Sequence, residues 1–266
     1  MNNARIYCLC LQDNLLEKVK KLNYLAVGLG QNEFSSEWIR DNTGENISTK
    51  NPFYGEYSFH YWMWKNEIDN IPDNTWIGFC TYRRFWSNKK NENSKIIFEK
   101  VLNEIPNEWN EYDVILGDRL NVEGIKWMKV LKYGKAAILK NPKAIFKKNR
   151  NLKFNFDLFH GVGILDRAIA LLDDENKSDF EEYVNNNRSF NQVNMFISKS
   201  KTLIKNYYTT IFNWLNKCEK IFGFNLERYS KIRIYAFLAE RFMSYWFNKN
   251  AKTLEWPIIF HDLSKD

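Results

Sequence analysis

The chain of 266 residues is long for one domain but within reach of a single α/β unit with added helices. Its 44% apolar and 17% aromatic content is ample for a core, and no run approaches the roughly 18 to 20 apolar residues that a membrane-spanning helix needs, so such a helix is excluded. The formal charge of +7 points to an anionic partner without saying whether that is a nucleotide, a nucleic acid or a lipid.

Residues 4–11 read as a first buried strand, with Cys8 and Cys10 on one face. With Cys80 and Cys218 they give no metal-ligand spacing and suit core packing. The N-terminus has no basic start followed by an apolar stretch and a small-residue cleavage site, so a cytoplasmic location is expected. Leu15 to Leu22 reads as a short amphipathic helix and Tyr24 to Gly30 as a second strand. Asp41 to Ser48 is dense in turn formers, and Asn51-Pro52 then opens a helix running to Lys65-Asn66. A strand from Ile77, a helix from about Lys95 to Glu104 and a strand from Tyr112 to Leu116 follow; this alternation argues for a mostly parallel sheet. Between Lys126 and Lys153 there are ten lysines and arginines and no acidic residue. Beyond it, Leu158 to Leu172, Ser178 to Val184, Leu203 to Ile221 and Lys231 to Phe247 read as helices, and Val193 to Ser198 as a strand. One domain is expected over 1–266, its α/β part covering about 1–125 and its mainly helical part about 126–266.

The most informative stretch is Ile77-Gly78-Phe79-Cys80-Thr81-Tyr82-Arg83-Arg84-Phe85-Trp86, an apolar strand that ends in two arginines framed by aromatics. Strand ends are where α/β proteins bind ligands, and a guanidinium offers a planar fork that matches phosphate or carboxylate. Adjacent residues of an extended strand point to opposite faces, so one of Arg83 and Arg84 is expected at a ligand cleft and the other on a structural carboxylate. A pair of surface arginines closing a strand is the alternative.

The order of motifs adds to this. Asp41-Asn42-Thr43-Gly44-Glu45-Asn46-Ile47-Ser48, Asn51-Pro52-x-Tyr54-x-Glu56, Tyr61-Trp62-x-Trp64-Lys65-Asn66 and Ile77-Gly78-x-x-x-Tyr82-Arg83-Arg84-Phe85 together resemble a bacterial family of domains of unknown function from capsule and lipopolysaccharide synthesis loci. Asn194-Met195-Phe196-Ile197 and Phe237-Leu238-Ala239-Glu240-Arg241 look like its C-terminal landmarks. The resemblance implies a GT-A-like nucleotide-sugar-binding sheet flanked by helices, with a helical C-terminal portion. It also implies a glycosyltransferase, similar in some members to galactofuranosyltransferases that use a uridine-diphosphate sugar, acting on a glycan or lipid-linked glycan.

A sugar nucleotide needs its pyrophosphate neutralised as it leaves and, for inversion, a base on the acceptor hydroxyl. The chain has no Asp-x-Asp to hold a metal, so arginine is expected to replace it, with no cofactor. Manganese or magnesium on Glu67-Ile68-Asp69 or Glu111-Tyr112-Asp113 is the alternative to that expectation. Donor binding is expected from Tyr82, Arg83, Arg84, Asp41, Asn42, Asn46, Tyr54 and Glu56. The loop from Asp41 reads equally as an Asx-type turn, and Glu56 as the partner that orients Arg83 or Arg84.

Tyr57, Tyr61, Trp62 and Trp64 suit stacking on a sugar or base, or core packing at helical spacing. Candidate catalytic groups are His160, with Asp157 three residues before it, and Glu240. His160 and His60 read equally as hydrogen-bonded structural histidines, His261 as incidental, and Glu240 with Arg241 as a buried pair or a cleft pair. Asn191 and Asn194 are placed, with Trp62, on the acceptor side. The basic segment from Lys126 to Lys153, interleaved with Trp127, Met128, Val130, Leu131, Ile138 and Leu139, suits peripheral docking on the inner membrane face or a solvated basic face. A nucleic-acid-binding module and a non-catalytic scaffold of a capsule-assembly complex are the competing functions; no nucleic-acid motif appears, so no nucleic-acid partner is expected.

Overall fold

The computed structural model describes residues 3–91, 93–125, 128, 130, 135–227 and 229–265. In chain order the strands are β1 (Ala4–Cys10), β2 (Leu25–Gly28), β3 (Ile39–Arg40), β4 (Trp76–Thr81), β5 (Arg84–Trp86), β6 (Val114–Gly117), β7 (Arg119–Asn121), β8 (Ser189–Asn191), β9 (Phe196–Ser198), β10 (Thr253–Trp256) and β11 (Ile258–Phe260). The main sheet runs β10-β6-β9-β4-β1-β2-β3, with β5 on β4 and β11 on β5. β1, β2, β3 and β4 are mutually parallel, β9 is antiparallel to its neighbours β4 and β6, and β10 is parallel to β6. The mostly parallel sheet expected from the alternation is present.

Period-two patterning divides the core. Tyr7, Leu9, Ile77, Phe79, Leu116 and Phe196 face one layer, which holds the helices Tyr57–Trp62, Lys201–Phe222 and Ile234–Asn250. Ile6, Cys8, Cys10, Cys80, Ile115 and Ile197 face the other, with Trp86 and Trp109. All four cysteines are free and buried, as core packing requires. Gly78 lets β9 approach β4, since a Cβ there would lie 2.7 Å from Ile197 Cγ1.

Several boundaries differ from expectation. The helix from Asn51 breaks after Tyr54, because Gly55 takes φ 56° and ψ −132°, and restarts at Tyr57–Trp62. The helix expected over Leu158 to Leu172 is two, Leu152–His160 and Ile164–Ile169, parted by Gly161 and Gly163 at positive φ. The strand expected from Val193 starts only at Phe196, since Val193 and Asn194 turn through φ 78° and 53°. From Lys95 to Glu104 only Ile97–Lys100 is α-helical. β10 and β11 were not expected.

Part of the basic segment, including Trp127 and Leu131, lies outside the described residues. Of the rest, Arg150 is fully buried, donating to the carbonyls of Ala144 (3.1 Å) and Ile125 (2.8 Å). Lys140 and Lys153 pair with Asp166. Lys140 and Lys153 thus tie the segment to the helix Ile164–Ile169, and Arg150 ties its end back to its start.

His60 is fully buried against Phe79, with Nδ1 2.8 Å from the Tyr208 hydroxyl. Burial holds its imidazole down to about 3. The ordinary value is near 6.5, so as pH drops below that the unfolded chain takes up a proton that the folded one refuses, and stability falls toward the folded value. Between about pH 6 and about pH 4.5 the wild type should lose about 1.4 kcal/mol per pH unit more than His60→Gln in equilibrium denaturation. Parallel profiles for the two proteins would contradict a neutral, buried His60.

Candidate functional site

β4 is buried along its length and pairs Thr81 with Arg84 of β5, so that Tyr82 and Arg83 form a tight turn. The turn removes the strand alternation that would have sent the two arginines apart. Arg83 and Arg84 line one cavity of about 250 Å³, together with Glu56, Arg233, Asn194, Phe237, Glu240 and Phe260. A second hollow of about 230 Å³ adjoins it at the carboxyl ends of β1 and β4, walled by Leu9, Leu11, Leu29, Pro52, Thr81 and Tyr82. The two share Glu56, Arg83 and Arg233.

The expectation that one strand arginine meets a structural carboxylate is corrected. Neither Arg83 nor Arg84 is ion-paired to a described carboxylate. The Arg84 guanidinium lies 4.1 Å over the Phe260 ring and donates to the Arg83 carbonyl at 3.2 Å. Burial pulls Arg84 below its ordinary range, and the like charge of the neighbouring Arg83 adds to it.

Glu56 pairs instead with Arg233, whose Nη2 stands 3.2 and 3.0 Å from its two oxygens. Gly55 makes this approach feasible, because a Cβ there would lie 2.2 Å from Arg233 Nη2. Sequence reasoning missed Arg233, which occupies the N-cap of the helix Ile234–Asn250. Its only sequence signal is a basic residue ahead of a long helix.

Glu240 both reaches the cavity and is paired. Its Oε1 accepts the Val193 N–H at 2.6 Å, and its Oε2 lies 2.5 Å from Arg241 Nη1. Burial raises its carboxyl, against the pull of Arg241 and of the Val193 N–H. The left-handed backbone at Val193 is costly for a β-branched residue. It delivers that N–H to the carboxylate.

The model of the family described as Domain of unknown function (DUF4422) matches residues 5–251. The chain belongs to that family. No curated protein matches it. Among solved structures, the apo form of the bifunctional glycosyltransferase WbbM is similar at a TM-score of 0.65 and 21% identity, over 97% of this chain and 45% of that one. This chain thus spans less than half of that neighbour's length, and the likeness shows the fold, a GT-A-like mixed sheet with a helical C-terminal part.

Of the residues singled out in the sequence, the fold brings Arg83, Arg84, Tyr82, Glu56, Asn194 and Glu240 to the two hollows. The others lie elsewhere. Asp41 is fully buried, accepting the Gly30 N–H (2.8 Å) and the Ser58 hydroxyl (2.5 Å). Asn46 accepts the N–H and hydroxyl of Ser48, the Asx-type turn of the alternative reading, and Asn42 is exposed. Tyr54 donates to Glu219 at 2.8 Å and the Trp62 indole donates to Thr43 at 3.0 Å. Asn191 ties the Gly117 carbonyl (2.7 Å) to the Ser244 hydroxyl (2.8 Å).

His160 stands one layer behind the cavity, its ring 4.1 Å from Phe237. Asp157 accepts the Gly163 N–H at 3.0 Å, holding the turn between two helices, and burial raises its carboxyl. Glu67 pairs with Arg5 and Asp69 with Lys205, and Asp113 accepts the Lys252 N–H. Among the described residues no three His, Cys, Asp or Glu side chains are grouped to hold a metal ion.

Gly55→Ala should lower stability by roughly 1 to 3 kcal/mol, through its backbone conformation and the displaced Arg233. Arg83→Ala should leave the melting temperature within a degree or two of wild type, since it breaks no ion pair. Thermal denaturation of both variants checks this, and equal losses would place Arg83 among the structural groups.

Proposed function

We propose that the chain is a glycosyltransferase that moves a sugar from a uridine-diphosphate donor, galactofuranose or a related sugar, to a growing capsule or lipopolysaccharide glycan. The observation behind this reading is the set of three guanidiniums, two of them with no ion pair to a described carboxylate, that lines one cleft with the Glu240 carboxyl at parallel strand ends. The fold shared with a bifunctional glycosyltransferase supports it.

In this reading the nucleoside lies in the apolar hollow beside Tyr82, and the diphosphate lies among Arg83, Arg84 and Arg233. As the acceptor hydroxyl oxygen bonds to the anomeric carbon, the bond from that carbon to the diphosphate breaks and negative charge collects on the leaving oxygen. Fixed guanidiniums meet that charge without reorganising. Glu240 takes the hydroxyl proton; its raised carboxyl lies closer to neutrality than an exposed glutamate and is the better base for it.

Arginine in place of a metal remains our proposal for the diphosphate. Docking on an anionic membrane surface for a lipid-linked acceptor is supported by Leu139 and Phe146, exposed among lysines.

Calorimetric titration with uridine diphosphate in chelator, then with manganese, tests the reading. Binding is expected in chelator and should weaken by about 10- to 100-fold in Arg83→Ala, the worth of a charged hydrogen-bond pair. Binding that requires manganese would overturn the metal-free mechanism, and no binding in either buffer would overturn the donor.

A further inference from the structure

The last strand of the chain builds the anion site from behind. β11 pairs antiparallel with β5, setting Phe260 opposite Arg84. Past it, the His261 N–H donates to the Arg83 carbonyl at 3.2 Å and the Leu263 N–H to the Tyr82 carbonyl at 3.1 Å. The segment is itself anchored, since Leu263 is fully buried and its carbonyl accepts Lys18 Nζ at 2.8 Å. Each residue of the turn that presents the arginines is thus held by a residue of this segment.

Phe260 is the odd member. It is 62% exposed, yet it walls the cavity, and its ring carries the Arg84 guanidinium at 4.1 Å. An aromatic face seats a guanidinium by cation–π attraction while leaving its N–H groups for a ligand. A carboxylate in the same place would have neutralised the charge. The segment lies beyond the residues matched to the family, 5–251.

We infer that Phe260 is a positioning residue for diphosphate recognition: it holds Arg84 over the cavity, charged and with no described carboxylate paired to it, so that Arg84 meets a phosphate of the ligand. This rests on the donor reading above for the identity of the ligand, but not for the anion site itself.

The probe is therefore inorganic pyrophosphate, with uridine diphosphate alongside, titrated calorimetrically into the wild-type chain, Phe260→Ala, Phe260→Trp, Arg84→Ala and the Phe260→Ala, Arg84→Ala double variant. Phe260→Ala should weaken both ligands by the same factor, about five- to tenfold, the worth of a partly desolvated cation–π contact. Phe260→Trp should restore the affinity. In the Arg84→Ala background the Phe260 substitution should add nothing, because the two act as one unit.

Additive losses, or an unchanged pyrophosphate affinity in Phe260→Ala, would overturn the inference. Wild type that binds pyrophosphate but not uridine diphosphate would sink the donor reading while the pyrophosphate series still decides this one. Binding of neither ligand would sink both.

Discussion

Two like charges at the end of a buried strand are the constraint around which the rest is arranged. β4 has no exposed residue, and four and five residues past its end Phe85 and Trp86 are again fully buried. The chain must therefore reverse within Tyr82 and Arg83, and the guanidinium stems start from backbone that is fixed on both sides. They cannot fold back into the apolar layers, and their repulsion is relieved by carbonyl and aromatic partners, with no described carboxylate paired to either. The outcome is a preorganised positive rim, and preorganisation is what makes a charged site effective, because its dipoles need no reordering when a ligand's charge arrives.

The two acid–base pairs near that rim differ in kind. Glu56 and Arg233 are each about one-fifth exposed and sit between the two hollows, so the pair neutralises itself while keeping contact with solvent. Glu240 is 15% exposed and Arg241 only 5%, and Arg241 is further spent on Asn155 Oδ1 at 3.0 Å. A buried pair of this sort is poor evidence for stability, since desolvation offsets much of the attraction. The strained turn at Val193 adds to the cost of holding Glu240 in place. That expense falls on one carboxylate at the cavity wall, the group proposed above as the base.

What the sequence made visible followed from periodicity and from charge placed against it. β1, β4, β6 and the long helices emerge because their apolar residues recur at intervals of two or of three and four. Arg83, Arg84 and Glu56 emerge because charge interrupts such a pattern. The helix break at Gly55 was hidden, because Pro52 opens a helix correctly and aromatics continue beyond; what requires the glycine is Arg233, far away in sequence. β11 was hidden because three residues after a long helix give no period to read. Asp41 shows the limit from the other side: a loop carboxylate reads the same whether it faces a ribose or, as here, the Gly30 N–H and Ser58.

The division of the cleft bears on which ligand it fits. The hollow at the strand ends has Leu9, Leu11, Leu29 and Pro52 in its wall and no charge beyond the side chains it shares with its neighbour. The neighbouring cavity holds Glu240, Asn194 and Arg84. At about 230 and 250 Å³, each is smaller than the usual small-molecule pocket, and together they reach its range. A ligand that fills both must be apolar or planar at one end, anionic in the middle where Arg83, Arg84 and Arg233 stand, and rich in hydroxyls at the other, toward Asn194 and Glu240. A polynucleotide repeats its charge along its whole length and would leave the apolar hollow and the Glu240 wall unmatched. A nucleoside-diphosphate sugar has the three parts in that order, and so the sequence of surfaces along the cleft, more than any one residue in it, favours that donor class over a nucleic acid.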